Sequence, residues 1–407
     1  MPQTLLKFLS AVIVVLGLEG IASAQAAESL GDIVEDAALS IDPAEISVSG
    51  VSSGGYMANQ FHLAHSAKIM GAGIVAAGPY HCGGTPSFTC DYMPVGFFMP
   101  HDTCQASYVC TALARAETFF GFYLGPPDAD HSLQSAEDEA EAGRIDALGN
   151  LKGDRVWLFS GGQDRLVPRD VMDQLHAVYE TLFARPEIAN PVDAIDYQKL
   201  GEAEHAMVVS IPGPPDANTC GDYGPPFIND CDYPAAGRLL DFIYRLDETN
   251  TEPPGPDDWD RDGLVQFDQA PFLRETGESA SMHDLGHVFV PERCRGGETC
   301  ALHVAFHGCR QYEEAVEEAC GANGDCPALY FFRDAGYNQW AERHGIVVLY
   351  PQVTSWGGTY DTSQNPRGCW DWWGYSGDDY FRKSAPQIRA VNAMIDCLTG
   401  AGDCGEQ

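Results

Sequence analysis

A serine between two glycines carries the clearest chemical signature in this chain. Residues 46–57 read ISVSGVSSGGYM, so a β-branched run leads into GVSSG and a helix-like stretch follows. This is G-x-S-x-G in the order strand, sharp turn, helix, which is the setting of a nucleophile elbow. Glycines are needed there because side chains at those positions would collide with the strand or the helix. The pattern predicts Ser52 as a nucleophile, with a plain Gly/Ser turn as the alternative.

A serine hydroxyl needs a base to take its proton, and the base needs an orienting carboxylate. In α/β-hydrolases these residues follow the serine in the order Asp or Glu, then His. Asp164 comes just after the predicted strand 155–160, at the sheet edge where the elbow is expected. We predict Asp164 as the orienting acid. The alternative is a turn or capping aspartate, and Asp170 is its nearest competitor.

Two histidines follow Asp164 closely. His176 lies in the helix-like run VMDQLHAVYETL and is predicted to be a helix-face residue. His205 lies in a loop directly after the predicted strand 194–199, which is the placement that a catalytic base requires. We therefore predict His205 as the base, with an ordinary surface histidine as the alternative.

The tetrahedral intermediate of acyl transfer needs two backbone N–H donors. The residue after the nucleophile, Ser53, supplies one. The other normally comes from a His-Gly type sequence upstream of the serine, and nothing before Ser52 qualifies. Far downstream, LHVAFHGC at 302–309 reads as a strand running into His-Gly-Cys. Circular permutation is the simplest account, because domain termini commonly lie close together.

The order of elements predicts an α/β fold: a circularly permuted α/β-hydrolase with a mostly parallel central sheet flanked by helices. Strands are predicted at 46–49, 72–76, 156–160, 194–199, 287–291, 302–306 and 346–350. Helices are predicted at 55–66, 169–183, 235–246, 330–344 and 385–398. The Pro- and Asp-rich stretch 250–262 is interpreted as a surface connection inside one domain.

The amino terminus has the form of a cleaved signal peptide. Lys7 precedes an apolar run from Phe8 to Leu18, and Ala22-Ser23-Ala24 offers a small-residue cleavage site. Eleven apolar residues fall short of the roughly 20 needed to span a bilayer, so no membrane span is expected. We expect residues 1–24 to be removed on export to the periplasm or medium, leaving residues 25–407 as a single catalytic domain.

The 14 cysteines suit an oxidising compartment and are interpreted as disulfides. Proximity in sequence suggests the pairs 104–110, 220–231, 294–300, 320–326 and 397–404, although connectivity stays open at this point. The formal net charge of −36 comes from 59 acidic and 23 basic residues. A phosphate backbone would be repelled by such a surface, so no nucleic-acid partner is expected.

Asp258 to Gly263 fits the first half of a calcium-binding loop. Position twelve would be Gln269 where a bidentate glutamate is expected, so a solvated acidic linker is the preferred interpretation. No metal and no cofactor is expected to take part in the chemistry. Cys309 beside His307 could suggest a cysteine nucleophile, but a bridged cysteine is preferred in an exported chain.

The motifs together resemble the poly(3-hydroxybutyrate) depolymerases with a circularly permuted α/β-hydrolase fold. The resemblance is carried by GVSSGGYMA at 50–58, GGQDRLVP at 161–168, EHAM at 204–207, INDCDYPAAG at 228–237, LHVAFHGCRQ at 302–311 and GCWDWWGY at 368–375. These motifs span almost the whole mature chain.

The resemblance implies Ser52, Asp164 and His205 as the triad, with the N–H groups of Ser53 and Cys309 as the oxyanion hole. It also implies that Trp370 lines the substrate cleft beside a Cys309–Cys369 disulfide. For Trp370, Trp372, Trp373 and Tyr375 a place in the core is the alternative.

The implied substrate is poly(3-hydroxybutyrate) or its oligomers, hydrolysed through an acyl-enzyme to short hydroxyacids. A carbohydrate esterase of the feruloyl or acetyl-xylan type, using the same triad, is the alternative function. A non-catalytic binding protein that keeps the fold is a second. We expect a monomer.

Overall fold

The computed structural model describes residues 27–85, 110–111, 127–210, 217–246, 254–274, 276–277, 280–320, 329–357 and 364–405. The strands of this part are β1 (Glu28–Ser29), β2 (Ser40–Val51), β3 (Gly71–Val75), β4 (Arg155–Gly161), β5 (Ile195–Leu200), β6 (Met207–Val209), β7 (Asn218–Thr219), β8 (Ile228–Asp230), β9 (Leu264–Asp268), β10 (Leu285–Phe289), β11 (Thr299–Phe306) and β12 (Ile346–Tyr350).

One nine-stranded sheet organises the described residues, in the order β1-β9-β10-β12-β11-β2-β3-β4-β5. Strand β10 runs antiparallel to its two neighbours, and the other pairs are parallel. The central strands are continuous buried apolar runs, as expected for parallel strands covered on both faces. Strands β6, β8 and β7 form a small second sheet.

The sheet order confirms the permuted α/β-hydrolase fold. Strand β2 pairs with the next strand in sequence, β3, on one side. On its other side it pairs with β11, which comes about 250 residues later, and Val304 lies opposite Val48. The strands that would open an unpermuted chain are therefore supplied by its carboxyl-terminal third.

The helices of the described residues cover the sheet. They are α1 (Leu30–Asp36), α2 (Ser53–Ala64), α3 (Ala129–Glu141), α4 (Arg169–Phe183), α5 (Ala235–Tyr244), α6 (Glu313–Cys320), α7 (Phe331–Asp334), α8 (Tyr337–His344) and α9 (Pro386–Leu398). Helix α2 is buried on every side, between β2, β3 and β11, so the segment that follows Ser52 is held rigidly. Helix α4 is amphipathic and buries Val171, Leu175, Val178 and Leu182.

Each predicted strand is present within a few residues, and the helix predicted at 169–183 has those bounds. The helix predicted at 330–344 is broken into α7 and α8, because Gly336 adopts a φ of 90° between them. Helix α3 and strand β9 were not predicted.

One apolar core runs from Leu30 to Leu398 through the described residues. The described part of the Pro- and Asp-rich stretch, 254–262, packs onto it. Trp259 is 7% exposed and meets the Phe289 ring edge-on at 5.5 Å. Gln339 on α8 donates a hydrogen bond to the Pro256 carbonyl.

Five disulfides join described cysteines: 82–110, 220–231, 294–300, 309–369 and 397–404. The last four confirm predicted pairs, one of them implied by the resemblance. The pair 104–110 is wrong, because Cys110 bonds Cys82, which is distant in sequence but lies 6.1 Å away between Cα atoms. The predicted pair 320–326 involves Cys326, which lies outside the described residues. None of the helices described above has the length and apolar character that crossing a bilayer would require.

Candidate active site

Ser52 occupies a strained turn between β2 and α2. Its backbone has φ 57° and ψ −124°, a conformation that L-residues rarely adopt. A Cβ atom built on Gly50 would lie less than 3.0 Å from the Gly54 carbonyl oxygen, and one built on Gly54 would lie less than 3.0 Å from that of Phe306. Both glycines are therefore required sterically, and the geometry is that of a nucleophile elbow.

Asp164 is positioned by the turn that ends β4. It is 1% exposed, and its Oδ1 accepts backbone hydrogen bonds from Leu166 at 2.8 Å and Val167 at 2.7 Å. Its Oδ2 lies 2.8 Å from Nδ1 of His205. An ionised carboxylate is an acceptor, so Nδ1 carries the hydrogen and Nε2 is left as a base.

His205 lies in the loop between β5 and β6, 4% exposed, as the sequence predicts. Its backbone is fixed by the preceding residue. Glu204 Oε1 accepts hydrogen bonds from the N–H groups of His205 at 3.0 Å and Arg165 at 2.7 Å. Glu204 Oε2 accepts from the Arg165 guanidinium at 2.8 Å. This one carboxylate joins the acid loop to the base loop.

Ser52 and His205 line the same cleft, which has an empty volume of about 480 Å³. Its other described lining residues are Val51, Leu166, Ala206, Tyr223, Phe227, Gly308, Cys309, Arg310, Gln311 and Arg367. Within the described part of the chain the Ser52 hydroxyl makes no hydrogen bond. Catalytic hydrogen bonds are often long in an empty site and tighten when the substrate binds.

The loop that follows β11 lies against the serine. A Cβ atom built on Gly308 would contact the Cβ of Ser52 at 3.4 Å. The Gly308 N–H donates to Gln311 Oε1 at 2.7 Å, and the Arg310 N–H donates to the Arg367 carbonyl at 2.8 Å. The Cys309 N–H between them has no acceptor among the described residues. The N–H of Ser53, the first residue of α2, likewise has no described acceptor.

His307 holds this loop from the core. Its Nδ1–H donates to the Gly308 carbonyl at 2.8 Å, and its Nε2 accepts from the Val353 N–H at 3.3 Å. Burial lowers the pKa of His307 to about 4, so the ring is neutral at pH 7. The disulfide between Cys309 and Cys369 ties the loop to a second segment.

Trp370 does not line the cleft in this structure. Its side chain has no exposed surface and packs edge-on against Phe306, with ring centroids 4.8 Å apart. Of the same motif, Trp372 stacks on Tyr56 at 4.3 Å. The aromatic wall of the cleft is formed instead by Tyr223, which is 41% exposed, and Phe227, whose ring lies 5.7 Å away.

A second serine–histidine contact lies inside the sheet and faces no cleft. His303 contacts Ser47 Oγ at 2.6 Å and Ser49 Oγ at 2.7 Å, and all three residues have no exposed surface. No substrate reaches this cluster. His176 lies on the surface of α4, where it approaches Glu180 at 3.4 Å, as predicted for a helix-face residue.

The predicted half-loop for calcium does not continue into a binding loop. Positions seven to eleven lie in or next to strand β9, and the side chain of Gln269 donates to the carbonyls of His283 and Gln352. Asp260 pairs with Arg295 at 2.8 Å. No group of three or more metal-binding side chains is found in the portion of the chain that is described.

Sequence reasoning missed four groups of this site: Glu204, Gln311, the Tyr223–Phe227 wall and the two cleft arginines, Arg310 and Arg367. Glu204 and Gln311 lie inside the quoted motifs EHAM and LHVAFHGCRQ, so a motif signal was present. Tyr223 and Phe227 lie in a loop with no recognisable pattern.

The chain is similar to depolymerases over nearly its whole length. It is 34% identical over 391 residues to "Poly(3-hydroxybutyrate) depolymerase" of Delftia acidovorans, covering 94% of this chain and 64% of that protein. It is 28% identical over 370 residues to "Polyhydroxybutyrate depolymerase" of Talaromyces funiculosus, covering 88% of this chain and 90% of that protein. The chain thus spans less than two thirds of the length of the Delftia relative. No protein-family model matches the chain.

Solved structures agree with the fold. The crystal structure of PHB depolymerase from Penicillium funiculosum superposes with a TM-score of 0.67 at 25% identity, covering 93% of this chain and all of that one. A serine-to-alanine variant of PHB depolymerase, complexed with an R3HB trimer, superposes with a TM-score of 0.66 at 24% identity and the same coverage. The resemblance predicted from the motifs is confirmed.

Proposed function

Because the chain is a homologue of the poly(3-hydroxybutyrate) depolymerases, we propose that it is a serine esterase that hydrolyses poly(3-hydroxybutyrate) or its oligomers. One observation carries the proposal. Ser52, on a strained elbow, shares a cleft with His205, whose Nδ1 is held at 2.8 Å by the buried Asp164.

In the first step Ser52 Oγ attacks the ester carbonyl while His205 Nε2 takes the hydroxyl proton. The imidazolium that forms is stabilised by Asp164, which accepts from its Nδ1–H. The bond from the carbonyl carbon to the alcohol oxygen then breaks, and Nε2 returns the proton to the leaving alcohol. Water attacks the acyl-enzyme by the same route in reverse, releasing a hydroxyacid.

The oxyanion of each tetrahedral intermediate is assigned to the N–H groups of Ser53 and Cys309. Both flank Ser52, and both lack an acceptor among the described residues. Donors fixed in advance cost no reorganisation during reaction, and losing one such donor typically costs about 10² to 10³ in kcat. Gln311 and His307 support this assignment because they fix the loop on either side of Cys309.

The walls of the cleft suit an aliphatic polyester. Leu166, Tyr223 and Phe227 present apolar surface beside Ser52, and a 3-hydroxybutyrate unit offers a methyl branch and no hydrogen-bond donor within the chain. The acidic surface of the protein has no bearing on a neutral polymer.

A substrate panel tests the proposal. Purified protein is expected to clear a suspension of amorphous poly(3-hydroxybutyrate) and to release 3-hydroxyacids, detected by mass spectrometry. Ferulate or acetate release from xylan without clearing would instead establish the carbohydrate-esterase alternative. Ser52→Ala should lower turnover by about 10⁴-fold or more with an unchanged circular dichroism spectrum.

Fluorophosphonate labelling adds a second readout, since it reports the nucleophile independently of substrate. The wild type and Ser384→Ala, which removes an exposed serine remote from the cleft, should label equally. Ser52→Ala should not label. Labelling of that variant would identify another nucleophile and overturn the assignment.

We further propose that residues 1–24 are a signal peptide and that residues 25–407 work as one exported domain and as a monomer. The five disulfides among described residues support an oxidising compartment. The packing of Trp259 onto the core supports a single domain. Amino-terminal sequencing of the secreted or periplasmic protein and sedimentation of the mature chain test these points.

A further inference from the structure

Two arginines line the cleft in a protein of strongly negative charge. Arg310 and Arg367 are the charged side chains among its described lining residues apart from the titratable His205, and none of those residues is a carboxylate. Both arginines are exposed, and neither guanidinium has an ion-pair partner among the described residues. The formal net charge of the chain is −36, so two arginines beside Ser52 with no ion-pair partner in the described part of the chain require an explanation.

The two arginines are held as a pair by the backbone. The Arg310 N–H donates to the Arg367 carbonyl at 2.8 Å, and the disulfide between Cys309 and Cys369 fixes the two segments with Cα atoms 4.2 Å apart. Arg310 adopts a φ of 63°, in the region that favours glycine. The backbone is thus constrained at both arginine positions. These constraints keep the two side chains at the cleft.

Among the described residues, the two acids that contact His205 are already engaged by other partners. Asp164 and Glu204 are 1% and 2% exposed, and their oxygens are taken up by His205, Arg165 and backbone N–H groups. At physiological ionic strength charges further away than about 8 Å are largely screened. Among the described lining residues, the exposed charges that an anionic group would meet in the cleft are therefore the two guanidinium groups.

We propose that Arg310 and Arg367 bind the terminal carboxylate of a hydroxyacid oligomer, so that the enzyme removes short units from the carboxyl end. This inference rests on the proposed function. Guanidinium groups suit a carboxylate because they donate two parallel hydrogen bonds to it. A neutral polymer interior would give them nothing to bind.

The direction of the polyester chain fixes the side on which this carboxylate lies. In a 3-hydroxybutyrate oligomer the scissile carbonyl belongs to the unit nearer the hydroxyl end, and the leaving alcohol belongs to the unit nearer the carboxylate. The arginines therefore bind the leaving group. Ser52 Oγ bonds to the carbonyl carbon, the ester C–O bond breaks, and the departing alkoxide takes its proton from His205 and leaves as one or two hydroxyacid units.

The test compares a linear 3-hydroxybutyrate trimer as the free acid with the same trimer as its carboxyl-terminal methyl ester. The wild type should favour the free acid in kcat/KM by at least about tenfold, the magnitude of one hydrogen-bonded charge pair. The double variant Arg310→Gln/Arg367→Gln should bring the ratio close to one. Arg310→Lys/Arg367→Lys should keep only part of it, because an ammonium keeps the charge but not the two parallel hydrogen bonds. Because the readout is a ratio of two substrates, partial loss of folded protein does not change it.

Arg261→Gln is the matched control, since it removes an exposed arginine that pairs with Asp257 away from the cleft, and it should keep the wild-type ratio. Equal rates on the two trimers by the wild type would overturn the inference, as would a preserved preference in the double glutamine variant. Cleavage of neither trimer, with a p-nitrophenyl ester still hydrolysed, would instead mean that the proposed substrate is wrong.

Discussion

Glu204 accepts a hydrogen bond from the backbone N–H of His205 at 3.0 Å, so the residue before the proposed base fixes its position. The carboxylate is 2% exposed and also accepts from the backbone and the guanidinium of Arg165, which directly follows Asp164. It therefore couples the two loops that carry the acid and the base. Because Glu204 is buried and bonded to the His205 backbone, we propose that it acts by positioning His205.

Glu204→Gln should lower kcat by about tenfold to a hundredfold with little change in KM, because a small misplacement of a catalytic group is costly. The amide has one acceptor oxygen where the carboxylate has two, and its NH₂ group faces the donors of Arg165. Steady-state kinetics on a p-nitrophenyl ester measure the effect. Glu202→Gln changes an exposed neighbour in the same loop and should match the wild type. Equal loss in both variants would show that the effect is not one of positioning.

Gly54→Ala should prevent the elbow from forming. The added methyl group would lie less than 3.0 Å from the carbonyl oxygens of Phe306 and His307, which are backbone atoms of a central strand and its loop. We expect a loss of about 3 kcal/mol or more in the free energy of unfolding, or no soluble protein. Gly149→Ala is the control, because a Cβ there meets nothing within 4 Å. A stable and active Gly54→Ala variant would contradict the geometry of the turn.

The Cys309–Cys369 disulfide should matter for activity as well as for stability. On the chain-entropy model, a bridge across 60 residues adds about 4 kcal/mol to the free energy of unfolding, and one across 7 residues adds about 2 kcal/mol. Cys309→Ser/Cys369→Ser should also lose kcat, because the loop that carries the Cys309 N–H is released. Cys397→Ser/Cys404→Ser, at the end of α9, should lose stability alone. Activities are compared at equal folded fraction, determined by circular dichroism. Equal kcat in the two double variants would show that the Cys309–Cys369 bridge does not contribute to catalysis.

The proposed triad could be located from the sequence because each member follows a recognisable strand. A buried run ends, a turn begins, and the first polar side chain lies at the carboxyl edge of the sheet, as for Asp164 after β4. The circular permutation could also be predicted, because the strand motifs of the fold are all present and only their order along the chain is rotated. Helix α3 was not predicted because its sequence is mostly polar and acidic. Its buried apolar residues are Leu133 and Ala136.

The burial of single aromatic side chains and the contacts between residues distant in sequence could not be predicted in the same way. The motif GCWDWWGY does not indicate which of its aromatic rings faces solvent, and Trp370 turned out to be buried against Phe306. Cys110 was assigned to a neighbour in sequence, whereas the fold brings it to Cys82. The cleft arginines were missed because their meaning depends on Arg310 and Arg367 coming together from segments 57 residues apart.

Because His303 is buried, we expect the free energy of unfolding to decrease in mild acid. Burial lowers its pKa to about 3 from an ordinary value of 6.5, so the unfolded chain binds the proton more readily between those pH values. The free energy of unfolding therefore decreases as the pH falls below 6.5, and at pH 5 this one residue accounts for about 2 kcal/mol. His303→Gln should reduce the difference in unfolding free energy between pH 7.5 and pH 5, measured by urea titration, by that amount.

Ser47→Ala separates this effect from simple loss of a hydrogen bond. It removes the partner of His303 Nδ1 but keeps the buried ring, so it should weaken the protein at both pH values and leave the pH difference in place. The other buried histidines, among them His307 with a pKa of about 4, contribute the part of the acid sensitivity that remains in His303→Gln. If His303→Gln shows the same difference in unfolding free energy between the two pH values as the wild type, the His303 ring must be able to take up a proton in the folded state. That result would contradict the burial of His303 between Ser47 and Ser49.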